Sequence, residues 1–586
     1  MLDLIFRRGY FLVMTDKFFR FIFAIFAYLS VWGAPGIEIG KMYASAAEGA
    51  DCAQVGASLK IGAVLDSSAL CNYVDIFNAA DNEIYKNEYP NARAKEFLAK
   101  NIPLLDCPDK NIESVYYFRW WTYRKHIAKS PEGWIVTEFM PKVPWGGKYN
   151  IISCPAGFHV AEGRWLKDKS IISDYLRIWM TSKNARPRAY TFAAARAAYD
   201  YHIVAPDAAF LKGIFGHLKK NSAEWEKERR PDENYLFWQY DYSDGMECSI
   251  AGALSSSEAM KYFERFEFVK DARGYRVNTN SYMYADFDAL SKIAKLIGEH
   301  SDAELYRRKA DTLKDLINTH LWDSKAKFYK TRSAFGNRDF ADVRELNAYS
   351  PWMFSIAPDE YAVAWLQLTD KRGFKAPFGP TTAEQRHKLF RITRKGHECQ
   401  WSGASWPYST SATLVALGNL LNECKNPPIG KGDFYETLST YARSHRIQWG
   451  DGSQSYWIDE SLDPYTGEWI TRSQLMNWDA KGPWNNRKCK GPERGKDYNH
   501  SEYCDIVITA LIGFRPLEEN AFILNPMVPD QWEYFCLDNI YYKGKTITVF
   551  YDKNGGRYNR GAGLIVLVDG KRVFSSPDLK MAKIAL

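Results

Sequence analysis

From Ala92 onward the chain repeats one kind of segment: stretches of helical period, parted by loops that hold the glycines, prolines and tryptophans. Apolar residues recurring every three or four positions give each helix one apolar face, and that face must be covered by another element. The spacing predicts helices over 92–100, 116–126, 171–183, 190–203, 206–220, 287–297, 301–320, 357–369, 408–423, 432–446 and 502–513. Ser301 and Glu304 read as a capping box for the helix that ends at His320. No strand–helix alternation interrupts the run, which disfavours a doubly wound sheet or a β/α barrel. Paired helices with no sheet to pack on close most simply on themselves, as an all-α barrel or toroid.

The period changes near Pro516. Ala521 to Leu524, Thr546 to Tyr551 and Leu564 to Val568 read as strands, and Asp569-Gly570 as a hairpin turn, so a small β domain is expected over 516–586. At the other end, Lys17 and Arg20 precede an apolar run from Phe21 to Trp32, and Ala44-Ser45-Ala46 offers a small-residue cleavage site. The run is shorter than the roughly 20 residues a membrane span needs. The expected organisation is therefore a signal peptide (1–46), a lead-in (47–79), a helical catalytic domain (80–515) and the β domain, in a secreted or periplasmic protein with no membrane span once mature. Between Trp134 and Trp165 the punctuation by Pro141, Pro144, Gly146, Gly147 and Gly157 marks a long loop, a candidate cleft wall.

Removing residues 1–46 takes away five basic and three acidic residues and leaves a net charge of +5. That balance is compatible with an acidic polysaccharide partner, and without a Lys/Arg block it argues against nucleic acid. The ten cysteines form no CxxC pair, so no zinc site is expected, and Cys52 with Cys71 is the candidate bridge by proximity. No cofactor is expected, and the chain reads as a monomer. The 20 Trp and 37 Tyr suit both helical cores and sugar stacking, with most of them expected in the core.

Two acidic stretches stand out. In Tyr240-Asp241-Tyr242-Ser243-Asp244-Gly245-Met246-Glu247-Cys248-Ser249, Asp244 and Glu247 flank a glycine. In Asp459-Glu460-Ser461-Leu462-Asp463-Pro464-Tyr465-Thr466-Gly467, Glu460 leads a proline–glycine turn. Alone, either could be turn chemistry. Together they supply the acid and the base that hydrolysis of a glycosidic bond requires.

His397-Glu398-Cys399-Gln400-Trp401-Ser402-Gly403-Ala404-Ser405-Trp406-Pro407 resembles the W-x-G-x-x-W segment of (α/α)6-barrel inverting glycosidases, among them glycoside hydrolase family 63 and the trehalases. Gly245 to Ser249 falls where those enzymes carry G-x-D-x-S, and Glu460 to Gly467 resembles their E-x-x-x-P-x-T-G segment. The resemblance covers about 80–515 in the family order. It implies a mainly α (α/α)6 barrel with a small C-terminal β domain. It further implies Glu247 as general acid, with Asp244 its rival, and Glu460 as general base. Glu247 stands where the family has Asp, and Ser402 where it has Arg, which points to a related but distinct family.

Candidate sugar contacts are Trp120, Trp121, Trp165, Trp238, Tyr242, Trp401 and Trp406 as platforms, with Arg119, Arg124, Arg164 and His500 as polar partners. For each, core packing or a helix-face ion pair is the competing reading. Three rival functions share this scaffold. They are an α-toroid polysaccharide lyase using His126, His159 or His500, a phosphorylase, and a non-catalytic glycan-binding protein.

Overall fold

The computed structural model describes residues 64–475 and 493–586. The signal-peptide reading of 1–46 and Cys52 of the candidate bridge lie outside the described residues. The main helices are α1 (Ser68–Ala79), α2 (Ala94–Asn101), α3 (Lys110–His126), α4 (Ala156–Gly163), α5 (Ser170–Thr181) and α6 (Ala194–Val204). They continue with α7 (Ala208–Arg229), α8 (Val277–Ile297), α9 (His300–His320), α10 (Pro407–Glu423) and α11 (Lys431–Ser444).

Two kinds of helix are present, and burial separates them. In α3 every residue from Ile112 to His126 is buried, and α8 is buried from Val277 to Leu290. In α9 only Tyr306, Ala310, Leu313 and Ile317 are buried, a single apolar stripe. Helices buried all round form an inner layer, and striped ones cover them from outside. Contacts close the circuit: α3 meets the short helix Cys504–Ile506, which meets α4. Contacts then run from α4 to α6, α6 to α8, α8 to Ser350–Met353, on to α10, α11 and back to α3. This is the expected helical toroid.

Complete burial forces the polar residues of inner helices to find partners. Asn280 of α8 accepts from Phe237 N and donates to Phe237 O, and Asp286 accepts from Ala195 N at 2.7 Å. The capping box at Ser301 does not form, because α9 starts at His300 and places Ser301 inside its first turn. The predicted helix 357–369 is a 3-10 stretch followed by one short α turn, and 502–513 is an α turn continued by π geometry.

The β-rich end contains β2 (Phe514–Pro516), β3 (Ala521–Leu524), β4 (Tyr534–Tyr542), β5 (Lys545–Asp552), β6 (Gly563–Val568), β7 (Lys571–Ser576) and β8 (Ala582–Ala585), preceded far upstream by β1 (Leu104–Asp106). The larger sheet runs β1-β4-β5-β6-β7, so a strand from the helical part forms its edge. Asp569 and Gly570, both at positive φ, make the β6–β7 turn with Val568 opposite Lys571.

Candidate active site

The loop after Tyr240 is shaped by its own carboxylate. Asp241, fully buried, accepts from Tyr242 N and Ser249 N, closing the loop on itself. A 3-10 turn, Tyr242–Asp244, ends at Gly245 with φ +70°, where a Cβ would stand 2.6 Å from the Cys154 sulfur. Only glycine fits there. The turn then divides the two acidic candidates. Asp244 points inward, to Arg276 Nε at 2.6 Å and to the hydroxyls of Thr279 and Thr191, with both members of the ion pair fully enclosed. Glu247 points the other way, into a cavity of about 230 Å³.

Glu460 lines the same cavity. Its Oε1 is 2.5 Å from Arg494 Nη2, and its Oε2 accepts from the Cys399 thiol at 2.9 Å. Arg494 also reaches Glu398 at 3.2 Å. Burial works against the charge of Arg494, but Glu460 and Glu398 together hold it firmly protonated. Among the described residues Glu247 has no such cation, and no other side chain hydrogen-bonds its carboxyl. Burial first, then the negative charges of Asp241, Glu460 and Glu138, push its pKa well above the usual carboxylate range. One carboxyl is pushed toward its protonated form and the other is ion-paired.

The tryptophan segment ties the two loops together through the backbone. Trp401 N donates to Glu247 O at 3.0 Å, and Ser405 and Leu462 exchange both backbone hydrogen bonds at 3.0 Å. Trp401 and Trp406 stack at 4.5 Å between centroids, stiffening the strut from behind.

Of the expected sugar contacts, Tyr242, Trp406 and His500 line the cavity with Glu247 and Glu460. The others do not line it. Trp120 and Trp121 belong to the all-round buried helix α3, with Trp121 beneath the Lys125 ammonium at 4.1 Å. Trp165 donates to Asp505, and Trp238 lies under Arg229 at 4.6 Å. Trp401 is covered by Trp406. Arg124 donates to Tyr89 O and Asn91, Arg119 to Ser501 O, and Arg164 pairs with Asp505 at 2.7 Å. Asp244, the rival acid, likewise does not line it and lies in the buried ion pair with Arg276. Ser402 is buried behind the strut, beside Arg391 O, rather than in the cavity.

The cavity also holds residues the sequence did not mark: Glu138, Trp145, Phe268, Glu398, Arg494 and Tyr498. Glu138 and Trp145 come from the loop between Trp134 and Trp165, whose punctuation signalled a wall but not its chemistry. Nothing in the sequence around Arg494 links it to Glu460.

A second chamber of about 210 Å³ backs onto the first at Cys154. Its charges are largely internal pairs, Arg164–Asp505 and Arg196–Asp200, and it carries neither family segment. Among the described residues no cluster of three or more His, Cys, Asp or Glu side chains could hold a metal ion.

A helical toroid with two carboxylate-bearing loops lining one cavity is the architecture of a glycoside hydrolase. Residues 148–501 match the mannosylglycerate hydrolase MGH1-like glycoside hydrolase domain, and 514–574 match the C-terminal domain of glycosyl hydrolase family 65. The chain belongs to the MGH1-like glycoside hydrolase family, which bears out the kinship with six-hairpin glycosidases expected from its segments. A solved structure named a sialidase shares 34% identity at a TM-score of 0.78, over 89% of this chain and 45% of that one. The chain thus spans less than half of that protein's length. The GH63 mannosylglycerate hydrolase from Thermus thermophilus in complex with glucose shares 13% identity at a TM-score of 0.47, over 67% of this chain and 98% of that one.

Proposed function

We propose that the protein is an inverting glycosidase that cleaves an O-glycosidic bond of an oligo- or polysaccharide. The observation that carries this reading is the pair of carboxyls in opposite electrostatic settings on one aromatic-walled cavity. Glu247, protonated, gives its proton to the leaving oxygen. Glu460, ion-paired with Arg494, removes a proton from the water attacking the opposite face. Tyr242, Phe268, Trp145 and Trp406 offer flat faces to the sugar ring. An inverting pair stands about 6.5–9.5 Å apart to admit that water. The expected result is that the first-formed sugar has the inverted anomeric configuration, read by proton NMR during early turnover. A retained anomer would make one carboxylate a nucleophile and sink the mechanism.

The acid is tested separately. A general acid matters most for a poor leaving group, whereas a phenolate leaves unaided. Glu247→Gln is expected to lower kcat/KM on a natural glycan by about 10²–10⁴-fold. On an activated aryl glycoside of the same sugar, the loss is expected to stay within about tenfold. Equal losses on both substrates would remove Glu247 from this role.

The rival functions fare worse. An incoming phosphate would meet Glu460 and Glu398, with Arg494 already bound to both. His126 and His159 are sealed against Asp497 O and Asn499 O, and burial pushes both down to about 3, far from a cleft base. Binding alone gives no reason to hold one carboxyl protonated beside an ion-paired one. Export belongs to the same proposal, supported by Lys17, Arg20, the apolar run and Ala44-Ser45-Ala46, with action as a secreted or periplasmic monomer. Among the described residues no helix is long and apolar enough to cross a membrane.

A further inference from the structure

We propose that Cys399 is the positioning residue of the base: its thiol, donating to Oε2 of Glu460, completes with Arg494 on Oε1 a clamp that aims the carboxylate at the attacking water. The inference rests on the glycosidase reading and adds the group that orients its base. Cys399 is partly exposed and lines the cavity, and its sulfur stands 2.9 Å from Glu460 Oε2. Arg494 Nη2 lies 2.5 Å from Oε1. The two donors come from different stretches of chain, 61 and 34 residues from Glu460. A carboxylate held at one oxygen can turn about its last bond. Held at both, it cannot turn without giving up a hydrogen bond to a charged acceptor. A carboxylate has about four lone-pair sites, so two donors do not exhaust it, and another site can take the water's proton.

The tryptophan segment builds this clamp. Cys399 N donates to His397 Nδ1 at 3.1 Å. Gln400 Nε2 donates to Lys395 O at 2.6 Å and to His397 O at 2.9 Å, fixing the turn that presents the thiol. One residue before Cys399, Glu398 accepts from Arg494 at 3.2 Å; two residues after it, Trp401 N donates to Glu247 O. Residues 398 to 401 therefore reach the base directly through the thiol, its arginine through Glu398, and the acid loop through the backbone.

The chemistry of the thiol suits this role. Burial, then the charges of Glu460, Glu247 and Glu398, push it well above its ordinary range, so it is present as S–H. An S–H is a weak donor. It orients the carboxylate while drawing off less of its basicity than a second cation would.

The test uses the whole protein, a panel of neutral and acidic nitrophenyl glycosides, and three variants whose folding is checked by thermal melts. On the best substrate Cys399→Ala is expected to lower kcat by about 10–100-fold, with KM held within about threefold. Cys399→Val, which refills the space without a donor, should behave as Cys399→Ala does. Cys399→Ser, whose hydroxyl also donates, should recover kcat to within about fivefold of the wild type. The acidic limb of kcat/KM marks where the base becomes protonated and idle. It should move up by about half to one pH unit in the Ala and Val variants, which lack a donor favouring the charged carboxylate, and should not rise in Cys399→Ser. Among the described residues the other charged and titratable neighbours of Glu460 are Asp459, Arg494, Glu398, His397, Glu247, Glu138 and Tyr498, and all four proteins share them. Wild-type kcat in Cys399→Ala, or equal losses in all three folded variants with an unmoved limb, overturns the inference and leaves the glycosidase reading standing. No turnover of any glycoside by the wild type overturns both.

Discussion

Glu460→Gln is expected to lower kcat on a natural glycan by about three orders of magnitude, the middle of the range for loss of a general base. The substitution removes the charge and keeps the shape. Arg494 retains Glu398 at 3.2 Å, and the amide oxygen of the new side chain can still accept from it. The buried guanidinium is thus not stranded, so the variant should fold and still bind substrate. Steady-state kinetics together with calorimetric glycan binding decide the matter. Near wild-type turnover in folded Glu460→Gln would exclude Glu460 from the chemistry, whatever its position.

The second large effect is on stability. Asp244 and Arg276 are both inaccessible to solvent, paired at 2.6 Å, with Thr191 and Thr279 adding hydrogen bonds. Removing one member of such a pair leaves a charge in the interior with nothing to balance it, at a cost of about 3–5 kcal/mol. Asp244→Ala is expected to show that loss in denaturant unfolding, and to lose activity equally on natural and aryl substrates, since the loop carrying Glu247 is held by this pair. A denaturation midpoint equal to that of the wild type would show that the ion pair does not hold the loop. Selective rescue by the aryl glycoside would return Asp244 to the role of acid.

The helices were legible because one apolar stripe per helix is a periodic signal. The signal was strongest in outer helices such as α9 and weakest in α3, where burial on every side erases the period and invites reading Trp120 and Trp121 as exposed platforms. Glu247, Glu460 and Trp406 were singled out as candidates because they sit in contiguous segments with a recognisable order. Arg494, Glu398 and Glu138 were not, because their relation to the site exists only in three dimensions: 34 residues separate Glu460 from Arg494 in the chain, and 360 separate Glu138 from Tyr498. Asp244 and Glu247 part at one left-handed glycine, which no count of spacing reveals.

The strut between the two loops has a consequence for how such enzymes diversify. Its cross-links to Glu247 and Leu462 are main-chain bonds, indifferent to the side chains that decorate it. The relative placement of the two carboxylate-bearing loops is therefore held by main chain, apart from the side chains that wall the cavity. The wall around Trp145 can be rebuilt while the backbone link between the two loops stays in place.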